Sequence, residues 1–161
     1  MIDLRFPTAL QIVLGIQIAE EDRVRCTSQK LAESLGVTPS FVRRLLVPLT
    51  RDGIVESSLG KHGGVRLARP PESITLRDIY CCVTEDKRLW TARPDVPCRC
   101  VASANIGEFF ECVADEAEAL VLEMLGRRTV ADSVAEIRKL EQTRLGRAGT
   151  ATEPAMAGAA L

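Results

Sequence analysis

The stretch LAESLGVTPSFVRRLL, residues 31–46, constrains this chain more than any other. Leu31, Ala32 and Leu35 stand at i, i+1 and i+4, the inward set of a short helix that Thr27 or Ser28 would cap. Gly36 follows, where a helix stop commonly needs a left-handed residue. Thr38 then offers a second cap and Pro39 a first-turn residue, so the spacing predicts a new helix after a very short turn. Helix, glycine turn, helix is the sequence form of a helix-turn-helix. Pro48 lies inside the second helix, removes the bond to the Arg44 carbonyl, and predicts a kink.

The flanking sequence completes a layout. An apolar helix is predicted from Pro7 to about Ala19, before the polar loop EEDRVRC. After the helix-turn-helix, Ile54 to Ser58 and Val65 to Ala68 read as short strands joined by a turn at Gly60-Lys61-His62-Gly63-Gly64. Thr75 with Asp78 three residues on resembles a capping box opening TLRDIYCCV. No period appears from Thr84 to Ser103, and Pro94 and Pro97 mark a loop. Asn105 to Gly126 is the longest predicted helix. Ile106, Phe109, Phe110, Val113, Ala117, Leu120, Val121 and Met124 form an apolar stripe along it. Beyond Leu140 the chain is rich in Ala and Gly and reads as a disordered tail.

The expected fold is mainly α with a small β-hairpin: a winged helix-turn-helix plus a long C-terminal dimerisation helix. Its expected parts are a DNA-binding domain over 1–84, a sensory loop over 85–104, a dimerisation region over 105–140 and a tail over 141–161. Charge follows the same division. Arg23 to Arg69 holds nine Lys/Arg against three Asp/Glu, whereas Glu72 to Lys139 holds nine against thirteen. A basic half for a polyanion is thus joined to an acidic half that does something else.

The composition also excludes function classes. The apolar run TALQIVLGIQIA has one preceding Arg, two internal Gln and a following EED, so it reads as a buried helix and not as a signal peptide. At about a dozen residues it is also shorter than the roughly 20 a membrane span needs. A cytoplasmic protein without membrane association is expected, and its six cysteines are then thiols, metal ligands or redox sensors. One histidine, on the basic turn, leaves no Cys-His or Ser-His nucleophile, and no C-x-x-C marks a thiol oxidoreductase. The chain does not read as an enzyme.

A helix in the major groove needs short polar and basic side chains at its start. Ser40, Arg43 and Arg44 fit, with Thr38 and free helix amides for a phosphate. Ser28 and Phe41 join them, and Lys61, His62, Gly63 and Gly64 form a basic, glycine-rich wing that can approach a sugar-phosphate chain closely. The expected partner is double-stranded DNA. A winged helix that docks a protein is the alternative in another class.

The run LAESLGVTPSFVRRLLVPLTRDGIVESSLGKHGGVRLARPPESITLRDIY closely resembles the Rrf2 family of bacterial regulators, which has IscR, NsrR and CymR types. The likeness covers about residues 5 to 140, and the pattern GxxGGxxLARPPExITLxDI is specific to it. It implies a homodimer on palindromic DNA, with Ser40, Arg43 and Arg44 on the recognition helix, Lys61 to Gly64 in the wing, and the long helix crossing to the partner subunit. The stripe of Ile106, Phe109, Phe110, Val113, Ala117, Leu120 and Met124 is the expected dimer interface.

Cluster-binding members carry three cysteines before the long helix, spaced by several residues. Here Cys98, Cys100 and Cys112 are spaced C-x-C-x11-C, and CVASANI resembles the CPVGxNI segment of members without a cluster. No resident cofactor is expected, with an iron–sulfur cluster on Cys98, Cys100 and Cys112 as the alternative. Thiol oxidation is the favoured control. Cys98 and Cys100 lie near Arg93 and Arg99, and Cys26 follows Arg23 and Arg25. Cys112 is the fourth redox candidate, and a small-molecule effector stays open as a partner.

Overall fold

The computed structural model of the chain describes residues 3–58, 63–84 and 88–150. Six helices and one hairpin follow in order: α1 (Arg5–Glu21), α2 (Ser28–Leu35), α3 (Pro39–Arg51), β1 (Val55–Ser58), β2 (Gly64–Leu67), α4 (Leu76–Thr84), α5 (Val101–Gly126) and α6 (Val130–Thr150). A 3-10 turn at Pro71–Ser73 precedes α4.

α1 is the centre of the molecule. It packs against α2, α3, α4, α6 and β2, which explains why it is apolar nearly all round. Ala9, Ile12, Val13 and Ile16 are fully buried on it. The helix-turn-helix forms as its caps require. Thr27 Oγ1 accepts the Lys30 amide at 3.2 Å, and Thr38 Oγ1 accepts the Phe41 amide at 3.3 Å. Gly36 closes α2 at φ +64°, a left-handed conformation in which a side chain costs roughly 1–2 kcal/mol. α3 is unbroken at Pro48. The proline removes one bond, but Leu45, Leu46 and Leu49 are buried around it and hold the turn in place.

β1 and β2 pair antiparallel, Val55 opposite Leu67 and Ser58 opposite Gly64. Val55 and Leu67 face the core, while Glu56 and Arg66 pair across the outer face at 2.5 Å. Helix α4 opens on the expected reciprocal cap: the Thr75 amide donates to Asp78 Oδ2 at 3.0 Å and the Asp78 amide donates to Thr75 Oγ1 at 3.1 Å. On this helix Phe6 of α1 meets Tyr80 edge-on, with ring centroids 5.2 Å apart.

The C-terminal part differs from the sequence reading in two places. α5 begins at Val101, four residues before Asn105, because Cys100 and Ser103 cap it. Moreover, α6 continues to Thr150, well past the expected boundary at residue 140. Glu141 and Arg144 pair at 2.8 Å on that extension, and the segment contains Leu, Glu, Gln and Arg, all good helix formers. The remainder of the expected tail, 151–161, lies outside the described residues.

A short backbone tie fixes the corner between α5 and α6. The Leu76 amide donates to the Arg128 carbonyl and the Val130 amide to the Ile74 carbonyl, each at 2.9 Å. From there α6 returns along α1, burying Val130 and Val134, and Arg138 reaches Asp22 at 2.6 Å and Glu21 at 3.4 Å. No helix among the described residues is long and apolar enough to cross a membrane.

Candidate nucleic-acid interface and cysteine positions

α3 presents one exposed face. Ser40, Arg43, Arg44, Val47 and Arg51 recur along it at helical spacing, all exposed, while Val42, Leu45, Leu46 and Leu49 turn inward. Val47 is 68% exposed, an unusual place for a large apolar side chain. Beside this face lies a cleft whose far wall is the hairpin: Ser57, Ser58, Gly63 and Gly64. Arg25, Arg43 and Arg51 bring three guanidinium groups to its rim, and Thr27 and Ser28 bring the start of α2.

The candidates divide by position. Ser40, Arg43 and Arg44 project from the first turns of α3, and Thr38 is its cap. Ser28 lines the cleft, half-buried. Phe41 is packed against the core, and the Arg44 guanidinium lies 5.1 Å above its ring, so Phe41 orients Arg44 from below. Gly63 and Gly64 form the root of the wing. Lys61 and His62 lie outside the described residues.

Arg25, Val47 and Arg51 were not among the sequence candidates. Val47 and Arg51 stand at i+3 and i+7 from Arg44, a signal that helical periodicity already contained. Arg25 had no such signal, because it reaches the site from the loop after α1.

The stripe on α5 divides into two faces. Ala114 and Leu125 are buried and Val121 packs on the core, with Phe110 and Ala117 half-buried on the same side. Ile106, Phe109, Val113, Leu120 and Met124 form the adjacent face and are 39–65% exposed. Phe110 and Ala117 therefore belong to the inner side. Five large apolar side chains of the stripe remain in water on that face.

Cys100 is the N-cap of α5. Its Sγ accepts the Ser103 amide at 3.4 Å, while Ser103 Oγ accepts the Cys100 amide at 2.9 Å and lies 3.4 Å from Sγ. Hydrogen bonds from the Ser103 side chain and backbone hold its thiol below the ordinary range. Cys26 is half-buried, and loss of water pushes its thiol up against the opposing pull of Lys30. Cys82 is buried on α4, where desolvation first, then the Asp52 carboxylate, pushes it up to about 12. Cys81, Cys98 and Cys112 are exposed.

A cluster held jointly by Cys98, Cys100 and Cys112 does not fit this arrangement. Cys100 caps α5 and Cys112 lies twelve residues into it, a rise of about 18 Å, too far for sulfurs on one metal core. Among the described residues no three His, Cys, Asp or Glu side chains converge as metal ligands.

The family model for Rrf2, described as an iron-dependent transcriptional regulator, matches residues 2–136. The chain belongs to the Rrf2 family. Within it, this Rrf2 chain is 49% identical over 57 residues to protein aau3 of Rhizobium meliloti, which covers 35% of this chain and 36% of that protein. The matches to the first curated relatives span only about a third of their length. Among solved structures, T. potens IscR aligns with a TM-score of 0.64 at 18% identity, covering 85% of this chain and 88% of that one. CymR, the global cysteine regulator of B. subtilis, aligns with a TM-score of 0.60 at 20% identity, covering 84% and 97%. At these identities the likeness is one of fold. The chain has the winged-helix fold of this family, whose model describes a transcriptional regulator.

Proposed function

We propose that the protein is a homodimeric DNA-binding repressor. It would set two recognition helices α3 in successive major grooves of a palindromic operator and respond to cysteine oxidation. The exposed row Ser40–Arg43–Arg44–Val47–Arg51, of which Arg43, Val47 and Arg51 face the wing across a basic cleft, carries the reading. Arginine can pair bidentately with guanine, an apolar side chain such as Val47 can meet a thymine methyl, and the Ser40 amide at the start of α3 can meet a phosphate. The uncovered α5 face supports a second copy as partner, because a two-fold axis lets one apolar strip cover its twin. Two half-sites would then lie about 34–36 Å apart.

Titration of a random-sequence duplex pool by anisotropy at several salt concentrations tests this reading. Binding that weakens steeply with salt, and is reduced by Arg43→Ala and Arg44→Ala, is expected. Salt-independent or absent binding would instead favour a protein-docking module.

For the switch, Cys100 is the attacking group by its lowered pKa and full exposure. A peroxide would oxidise its thiolate to a sulfenic acid, and a second thiol, Cys26 or Cys98, would displace water to form a disulfide. With Cys26 the bridge would join the loop of one subunit to the helix-turn-helix of the other. Non-reducing gels and peptide mass spectrometry after mild peroxide read the cross-link. Unchanged DNA affinity with no cross-link would sink it.

The family's description as iron-dependent supports a second reading, in which Cys98 and Cys100 meet iron with donors from elsewhere in a dimer. Visible absorption and iron content of protein purified without air separate the two.

A further inference from the structure

The root of the wing is held by the loop that joins α1 to α2, at two adjacent residues. Arg25 Nε donates to the Gly63 carbonyl at 2.5 Å, and the Cys26 carbonyl accepts the Val65 amide at 3.0 Å. Gly64 lies between these two bonds. A Cβ placed there would sit 2.6 Å from the Cys26 carbonyl oxygen, a backbone atom that cannot swing aside. The absence of a side chain at Gly64 is thus what lets the loop and the wing approach so closely. The same cleft carries Arg43 on the α3 side. The wing root is therefore held from a loop that lies outside both the hairpin and the recognition helix.

We propose that Arg25 is a positioning residue for the wing: it fixes the angle at which the wing stands to α3, so that both reach one DNA duplex together. The proposal rests on the DNA-binding reading for its function, but the bracket itself can be measured without DNA. Three variants separate its possible causes. Arg25→Ala removes charge and donor. Arg25→Gln removes the charge but keeps an N–H donor the same number of bonds from Cα as Nε. Gly64→Ala leaves Arg25 in place and pushes the wing off the Cys26 carbonyl.

In the free protein, hydrogen exchange at the Val65 amide should speed up in Arg25→Ala and Gly64→Ala and stay near the wild-type rate in Arg25→Gln. On a random-sequence duplex, Arg25→Ala and Gly64→Ala should bind roughly tenfold more weakly, one hydrogen bond's worth, and lose about one unit of salt slope. Arg25→Gln should recover that wing contribution. Unaltered Val65 exchange in Arg25→Ala and Gly64→Ala would overturn the bracket, whatever the DNA result. Normal Val65 exchange in Arg25→Gln with DNA binding as weak as Arg25→Ala would overturn the positioning role and make Arg25 a direct phosphate contact. Wild-type protein that shows the bracket but binds no duplex would overturn the DNA-binding reading instead.

Discussion

Cys100 and Cys82 show how position decides the chemistry of one side chain. Cys100 accepts hydrogen bonds at the head of a long helix, which favours its thiolate. Cys82 faces apolar neighbours and the Asp52 carboxylate, both of which favour the thiol. Iodoacetamide at neutral pH should therefore modify Cys100 well before Cys82, with peptide mass spectrometry as the readout. Ser103→Ala should slow Cys100 by removing the hydroxyl that hydrogen-bonds its sulfur. Cys82 also predicts a pH dependence. Its folded pKa of about 12 lies above the 9.0 of a free thiol, so the unfolded chain loses this proton first as pH rises. The contribution is complete below pH 9 and lost as pH climbs toward 12. Urea melts should show wild type losing stability more steeply across that window than Cys82→Ala.

Among the elements, α3 is the one whose ends and faces were most legible. Gly36, Thr38 and Pro39 act locally, so a single strand of sequence is enough to place the start of the helix. Thr38→Ala should cost about 1 kcal/mol in denaturant unfolding, because the Phe41 amide loses its side-chain acceptor. α5 was harder to read. Its hydrophobic period revealed a stripe, but eight apolar positions cover more than one face. Only packing on α4 shows that Phe110, Ala117 and Val121 turn home while Phe109 and Leu120 stay in water. The start of α5 was missed because Cys100-x-x-Ser103 acts as a capping box with a sulfur in place of the usual hydroxyl. α6 continues past residue 140 despite the glycines there, because Glu141, Gln142, Arg144 and Leu145 are good helix formers.

For the whole molecule, the exposed α5 face and the wing cleft are joined through α4, which packs on α1, α3 and α5. A partner seated on α5 would thus press on the same core that carries α3. Phe109→Asp with Leu120→Asp should convert a dimer into a monomer by sedimentation, keep the far-ultraviolet helix signal, and weaken duplex binding. Leu125→Ala is the contrasting case on the inner side of the same helix. It opens a cavity in the core and should cost about 2–5 kcal/mol of stability.

Local chemistry in the sequence was sufficient for the helix-turn-helix, the hairpin, the Thr75–Asp78 cap and the basic face of α3. Each depends on residues a few positions apart, and such neighbours meet whatever the rest of the chain does. Arg25 at the wing root, the two faces of α5, and the separation of Cys100 from Cys112 were decided by the tertiary structure. Arg25 reaches Gly63 across 38 positions of sequence. The six cysteines stand in unlike surroundings: Cys100 caps α5 with a lowered pKa, Cys82 is buried, Cys26 is half-buried, and Cys81, Cys98 and Cys112 are exposed. Solvent access and distance set their reactivity, and both are properties of the packed chain.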